Sequence, residues 1–132
     1  MEIKQYAHGE GDFWCKMGPF FASRQVRNEL GIAMSSDESY TWFVAFNGDE
    51  VVGFAAVEIT GGTAVLRHAY VNPANRANGI YAKMLEARMV SGKGRASLIK
   101  VTANVDSIEH LRGHGFTAVS TRGQYTNMEW HK

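Results

Sequence analysis

The stretch between residues 64 and 103 most constrains the fold, because a helix rather than a tight turn joins its two apolar strands. Residues 64–71 have the composition of a strand, a polar loop follows, and apolar residues then recur at helical spacing over residues 80–90. Residues 98–103 form the next strand. Strands joined by such a crossover pair in parallel. We therefore predict that these two strands are parallel neighbours in one sheet.

The segments on either side of this unit predict antiparallel strands. Residues 3–7 form a short strand, and residues 41–46 and 51–59 form a hairpin around the turn Asn47-Gly48-Asp49. The last segment, residues 117–130, contains two strands. Together these segments predict an α/β (α+β) fold with a mixed, mainly antiparallel sheet of about six or seven strands, flanked by helices. The length predicts a single domain spanning residues 1–132.

Proline and glycine set the expected ends of the helices. Because proline is disfavoured inside a helix, we predict one helix that starts at Pro19, runs to Leu30 and stops at Gly31. We also expect Gly92 and Gly94 to end the helix that begins near residue 80.

The composition excludes several classes of function. Lys and Arg number 14 against 13 Asp and Glu, and there is no dense positive block, so binding to nucleic acid or to an anionic membrane is not favoured. No apolar run has transmembrane length and the first residues do not resemble a signal peptide, which predicts a cytoplasmic protein. The one cysteine, Cys15, has apolar neighbours and is expected to be buried and inert. No metal site is predicted.

The segment from Val71 to Tyr81 carries the clearest chemical signal. Its sequence, VNPANRANGIY, places a polar loop between the end of a strand and the start of a helix. Amides at a helix start converge on one point and the helix dipole adds partial positive charge, so the natural ligand is a phosphate or pyrophosphate. Gly79 would let that ligand approach the backbone, and Arg76 would add charged donors. Such loops also occur as plain helix-initiating turns, and the loop alone leaves that alternative open.

This segment resembles the signature of the Gcn5-related N-acetyltransferase (GNAT) family, Arg/Gln-x-x-Gly-x-Gly/Ala after the fourth strand. Here the signature runs from Arg76 to Tyr81, and the strand before it ends in Val71-Asn72-Pro73. Downstream, Asn104 and Gly115-Phe116 are similar to the family's Asn…Gly-Phe segment. The order of elements resembles the family over nearly the whole chain. The resemblance implies the family's fold, with acetyl-CoA or a close acyl-CoA relative as cosubstrate.

The resemblance also implies which residues hold the cosubstrate. The pyrophosphate is expected on the backbone amides of residues 77–81, and the pantetheine arm is expected beside Asn104. Tyr81 departs from the Gly or Ala that ends the signature, which is tolerated if its side chain points away from the ligand. The implied binding residues are Val71, Arg76, Ala77, Asn78, Gly79, Ile80, Tyr81 and Asn104.

The catalytic positions depart from the family's pattern. Leu111 stands where many members carry a tyrosine acid, and Val65 stands where many carry a glutamate or histidine base on the fourth strand. His110 and His114 flank the missing tyrosine and are therefore candidate proton-transfer groups, with a solvent-assisted reaction as the alternative.

Two further residues of the fourth strand matter for the site. Arg67 lies on the expected active face and is a candidate to bind an acidic group of the substrate, with a structural charge as the open alternative. Strict alternation places His68 on the other face from Val65, Arg67 and Ala69, so it is expected to point away from the acyl site.

The resulting hypothesis is an acyl-CoA-dependent N-acyltransferase, in which a small-molecule or protein amine attacks the acetyl-CoA thioester directly. Three alternatives remain: a non-catalytic acyl-CoA-binding module, a nucleobase-modifying member of the same fold, and a plain α/β domain whose loop binds nothing. The resemblance places the acceptor pocket among residues 13–40 and 123–132. It also suggests a homodimer through the terminal strands.

Overall fold

The computed structural model describes all 132 residues, which form seven strands and four helices. The strands are β1 (Glu2–Ala7), β2 (Tyr40–Asn47), β3 (Glu50–Thr60), β4 (Thr63–Val71), β5 (Leu98–Asn104), β6 (Thr117–Arg122) and β7 (Tyr125–His131). The helices are α1 (Phe13–Phe21), α2 (Arg24–Leu30), α3 (Ile80–Arg95) and α4 (Ile108–Gly113), and one turn of 3-10 helix, Pro73–Asn75, lies between β4 and α3.

All seven strands belong to one sheet in the order β1-β2-β3-β4-β5-β7-β6. Every neighbouring pair is antiparallel except β4 and β5, which are parallel and joined by α3. This arrangement confirms the mixed, mainly antiparallel sheet and the parallel pair that the crossover predicted.

The sheet carries helices on both faces. Aromatic residues of β2 and β3, led by Trp42 and Phe54, pack with Phe13 and Met17 of α1 and with Val26 of α2. The opposite face packs against α3 and α4. The core on that side contains buried Leu85 and Met89 of α3, Leu111 of α4, Ile99 of β5, and Phe116. The apolar alternation along the strands therefore supplies two cores, one for each face of the sheet.

The predicted helix from Pro19 to Leu30 is wrong, because two helices occupy that region. Pro19 lies inside α1, near its C-terminal end, and not at the start of a helix. The chain then restarts at Ser23, whose side chain accepts the Val26 amide at 3.2 Å and caps α2. The expected stop is confirmed: Gly31 ends α2 in the left-handed conformation, with φ 74°.

The expected end of α3 near residue 90 is also wrong. The helix continues through Gly92 and Gly94 to Arg95, for a length of 16 residues. At Gly92 an added Cβ would lie 3.0 Å from Ile99 Cδ1, so the missing side chain lets α3 pack closely on β5. This packing offsets the low helix propensity of glycine. No helix of the structure is both long enough and apolar enough to cross a membrane.

Cys15 is exposed, which corrects the expectation of a buried thiol. Helix α1 buries Phe13 and Met17, which lie one turn apart on the same face. Residue 15 lies halfway between them in sequence and so projects from the other side of the helix.

A buried arginine stands out in the core. Arg88 of α3 is 7% exposed; one guanidinium nitrogen donates to the Ala56 carbonyl at 3.3 Å, and its Nε has no partner. Burial lowers the pKa of Arg88 to about 10, so the side chain stays charged at neutral pH. No carboxylate forms a salt bridge with it. A buried charge without an opposite charge is costly.

We expect Arg88→Met to raise the free energy of unfolding by about 1–3 kcal/mol, since methionine fills similar space without a buried charge. Urea denaturation of the variant beside wild type measures the change. Arg88→Lys is the matched comparison, because it keeps the charge but shortens the reach to Ala56, and it should destabilise the protein. A loss of stability in Arg88→Met would show instead that the bond to Ala56 outweighs the cost of the charge.

Candidate functional site

The parallel strands separate partway along their length. Residues Thr63, Ala64 and Val65 of β4 pair with Leu98, Ile99 and Lys100 of β5, and no pair follows. Beyond this point β4 stays paired with β3 up to Val71, while β5 stays paired with β7 up to Asn104. The two strands therefore open a gap in the sheet with unpaired backbone on both sides.

A β-bulge in β4 lies beside this gap. Arg67 pairs with Ala56 and Tyr70 pairs with Phe54, so β4 has two residues where β3 has one. His68 takes φ 51°, a conformation uncommon outside glycine, although histidine is enriched among the residues that adopt it. The extra residue breaks the alternation: His68 faces the same cleft as Arg67, while Ala69 packs against the core under α3. The expectation that His68 lies on the opposite face from Arg67 is therefore wrong.

The cleft has a volume of about 810 Å³ and lies on the face of the sheet that carries α2. Its floor comes from β4, β5 and β7, and Leu30, Gly31 and Ile32 at the end of α2 form a wall. Polar residues line the cleft on both sides of the gap, namely Arg67, His68, Lys100, Thr102, Ser120, Tyr125, Asn127 and Glu129. Lys100 and Val65 are register partners, so the cleft sits directly over the point where the strands separate.

His68 is held by aromatic neighbours. Its ring lies nearly parallel to Trp42, at 5.9 Å between centroids, and to Tyr40, at 6.0 Å. The Ser35 amide donates to His68 Nε2 at 3.4 Å, a long bond that requires this nitrogen to be unprotonated. Burial lowers the pKa of His68 and the charge of Arg67 lowers it further, while Glu58 raises it. At neutral pH the ring is therefore uncharged and able to accept a proton.

The loop before α3 presents free amides at one point. The backbone amides of Ala77, Gly79, Ile80, Tyr81 and Ala82 have no acceptor within the protein, whereas Asn78 donates to the Asn75 carbonyl at 3.4 Å. Gly79 stands at the N-cap with φ 75°. Tyr81 is 44% exposed, so its side chain does not fill the space beside these amides from the core side. The geometry is that of an anion site at a helix start.

Arg76 has a structural role in the loop before α3, in addition to the role of charged donor that the sequence predicted. Its Nε donates to the Val71 carbonyl at 2.8 Å, a second nitrogen pairs with Glu29 of α2, and the guanidinium lies 5.6 Å from the Tyr70 ring centroid. Arg76 therefore ties the loop to the end of β4 and to α2. Val71 is buried and its carbonyl is the acceptor of this bond. Tyr70 packs on Phe54, and burial raises the pKa of its hydroxyl.

Asn104 lies at the end of β5, at the far side of the gap. Its Oδ1 accepts the Ser107 amide at 3.1 Å and the Ser107 hydroxyl at 3.0 Å, which fixes the turn into α4. Its Nδ2 donates to nothing within the protein and is free for a ligand.

The two candidate histidines of α4 do not line the cleft. His110 and His114 have ring centroids 5.0 Å apart; His110 is exposed on α4, His114 is half-buried at its C-terminal cap, and Leu111 between them is buried. Of the three candidate catalytic residues the structure thus brings only Arg67 to the cleft. The sequence analysis placed His68 on the wrong face, because nothing local marks the bulge. It did not single out Lys100, because alternation in β5 alone does not identify the cleft. No group of three or more His, Cys, Asp or Glu side chains is arranged to hold a metal ion.

Solved structures share this fold over almost their whole length. ElaA of Escherichia coli superposes with a TM-score of 0.73 at 14% identity, covering 98% of this chain and 99% of that one. An acyl-CoA N-acyltransferase from Pseudomonas aeruginosa gives a TM-score of 0.75 at 12% identity, covering 98% of each chain. The PaiA N-acetyltransferase of Thermoplasma acidophilum, solved in complex with coenzyme A, gives 0.64 at 16% identity, covering 100% of each.

Sequence comparison identifies the family independently of these superpositions. None of the curated proteins compared with the chain matches it. The profile of the acetyltransferase (GNAT) family, however, matches residues 8–116, which include the loop before α3, the diverging strands and α4. The chain belongs to the GNAT acetyltransferase family.

Proposed function

We propose that this protein transfers the acyl group of acetyl-CoA, or of a close acyl-CoA relative, to a primary amine bound in the cleft. The free amides at the start of α3 carry the proposal, because they form an anion site at one end of the gap between β4 and β5. The cleft, which suits an acceptor, lies at the other end of the same gap.

The residues present fit the cosubstrate. The five unpartnered amides from Ala77 to Ala82 suit a pyrophosphate, and Gly79 leaves room beside them because nothing lies within 4 Å of the place a Cβ would take. The opened gap leaves backbone groups on its two strands for the amides of the pantetheine arm. The PaiA structure contains coenzyme A in the same fold, which supports this assignment.

The reaction requires the protein to position the amine and to remove its proton. The thioester of acetyl-CoA supplies an already activated acyl carbon. The cleft holds the amine over the gap, which makes the attack effectively unimolecular. His68 is uncharged and takes the proton that the amine must lose, directly or through one water, after giving up its long bond to Ser35. Leu111 is buried at the position of the family's tyrosine acid, so solvent or the exposed Tyr125 hydroxyl protonates the departing thiolate.

A non-catalytic acyl-CoA-binding module is the second candidate. The leucine at position 111 and the valine at position 65 favour it, because neither side chain transfers protons. Release of free thiol from acetyl-CoA in the presence of a panel of primary amines tests the proposal. Amine-dependent release supports the enzyme, whereas binding without any release supports the module.

We predict that Asn104→Ala raises the KM for acetyl-CoA by about tenfold to a hundredfold, the loss expected for one or two buried hydrogen bonds to the pantetheine arm. Steady-state kinetics at saturating amine measures it. Asn104→Asp is the matched control, because it keeps an oxygen for Ser107 but removes the free Nδ2 donor. A wild-type KM in the aspartate variant would show that Asn104 acts only through the turn into α4.

A homodimer through the terminal strands remains part of the proposal. Strand β6 is an edge of the sheet and all six of its residues are exposed, which supports an interface there. Sedimentation equilibrium tests it, and a monomer at micromolar concentration would contradict it.

A further inference from the structure

Two positively charged side chains in the cleft have hydrogen-bond donors without partners. Arg67 uses only its Nε, which donates to Glu58 at 3.0 Å, and its two terminal nitrogens bond to nothing in the protein. The side chain of Lys100 forms neither a hydrogen bond nor a salt bridge. Both line the cleft, on opposite sides of the gap.

The acidic groups nearby are already engaged. Glu58 holds Arg67, and Glu129 Oε1 lies 2.9 Å from His131 Nε2. Among the charged residues that line the cleft, the side chain of Lys100 alone has neither a hydrogen bond nor a salt bridge, while Arg67 keeps two donor nitrogens free. The two terminal nitrogens of Arg67 and the ammonium group of Lys100 face one cleft from neighbouring strands, and together they favour an anion between them.

We propose that the acceptor is a small amine that also carries a carboxylate, held by Arg67 and Lys100 with its amino group over the gap. This inference rests on the proposed function and specifies its substrate class. The guanidinium supplies a planar pair of donors, and the ammonium group supplies a point charge from the other strand. The volume of about 810 Å³ leaves room for such a molecule beside the acyl end of the cosubstrate. The carboxylate is bound and not consumed: the new bond forms between the amine nitrogen and the acyl carbon, the carbon–sulfur bond breaks, and the amine proton leaves to His68 or solvent.

The geometry also explains the bulge in β4. In a regular strand Arg67 and the residue after it would face opposite sides of the sheet. The bulge keeps both Arg67 and His68 in the cleft, so the group that binds the carboxylate lies directly beside the group that takes the proton.

The test compares the twenty amino acids as free acids with their α-carboxamides. Thiol release from acetyl-CoA measures the rate, and each rate is corrected for the fraction of amine that is uncharged. The acid forms should have kcat/KM values at least about tenfold above the amides. Arg67→Met and Lys100→Met should each bring this ratio close to one, through a loss of kcat/KM of about tenfold or more for the acids alone. The matched controls Arg112→Met and Lys132→Met lie outside the cleft and should keep the wild-type ratio.

Equal kcat/KM for acids and amides would overturn the inference while leaving the acyltransferase intact. If no amine is acylated in either form, the proposed function fails, and binding then decides the substrate class. In that case, titration with the N-acetylamino acids and their amides should shift the backbone NMR resonances of β4 and β5 only with the acids. Equal or absent shifts with both would overturn the inference as well.

Discussion

Replacing Gly79 by glutamate should abolish the binding of CoA and acetyl-CoA, with an affinity loss of at least about a hundredfold. The new carboxylate would stand beside the free amides of Ile80 and Tyr81 and take the place of the pyrophosphate. The fold should survive, because nothing lies within 4 Å of the Cβ position at this glycine. Isothermal titration with CoA measures the loss, and circular dichroism checks the fold.

The matched control is Gly48→Glu. Gly48 has φ 62°, close to the 75° of Gly79, and its Cβ position is also open, but it lies in the β2–β3 turn. Both variants place a side chain at a positive φ and add the same charge, so the main difference between them is the location. Wild-type affinity in Gly79→Glu would remove the pyrophosphate from the start of α3. Equal losses in both variants would show that the effect is one of folding.

His68→Asn should lower kcat by about a hundredfold, the usual contribution of a positioned general base. Asparagine is the suitable replacement, because it tolerates the positive φ of this position and so preserves the bulge. The change removes the ring that titrates and leaves the cleft with a side chain of similar polarity. The KM for acetyl-CoA should stay within a few-fold of wild type.

The pH profile separates a base from a structural role. The pKa of His68 is lowered from its ordinary value of 6.5, so the ring is uncharged above that pH and becomes protonated only below it. In wild type, log(kcat/KM) should rise with slope one while only the amine loses its proton, and the slope should steepen to two below the pKa of His68. His68→Asn should keep slope one throughout.

The histidines of α4 provide the controls for this experiment. His110→Ala and His114→Ala should reproduce the wild-type pH profile, because neither residue lines the cleft. A slope of two that persists in His68→Asn but disappears in either of these variants would move the proton-transfer role to α4.

The sequence alone determined the features that depend on local chemistry or on chain connectivity. A crossover helix between two strands forces a parallel pair, and β4 and β5 are parallel. A glycine at the start of a helix after a polar loop predicts free amides, and Gly79 has that environment. The hairpin at Asn47-Gly48 and the stop at Gly31 follow from residues that tolerate positive φ. The turn, the helix stop and the free amides depend on neighbours within a few positions along the chain, and the parallel pair depends on the connection between its two strands.

Only the tertiary structure decided which side chains line the cleft. The bulge at His68 depends on the register between β3 and β4, and a single extra residue moves a side chain from one face to the other. Helix α3 runs through Gly92 because the packing against Ile99 outweighs a local preference. Lys100 lines the cleft because the register between β4 and β5 places it opposite Val65. Alternation and propensity act along one strand or helix, whereas a site at the junction of several strands is set by how they pair, which no single segment encodes.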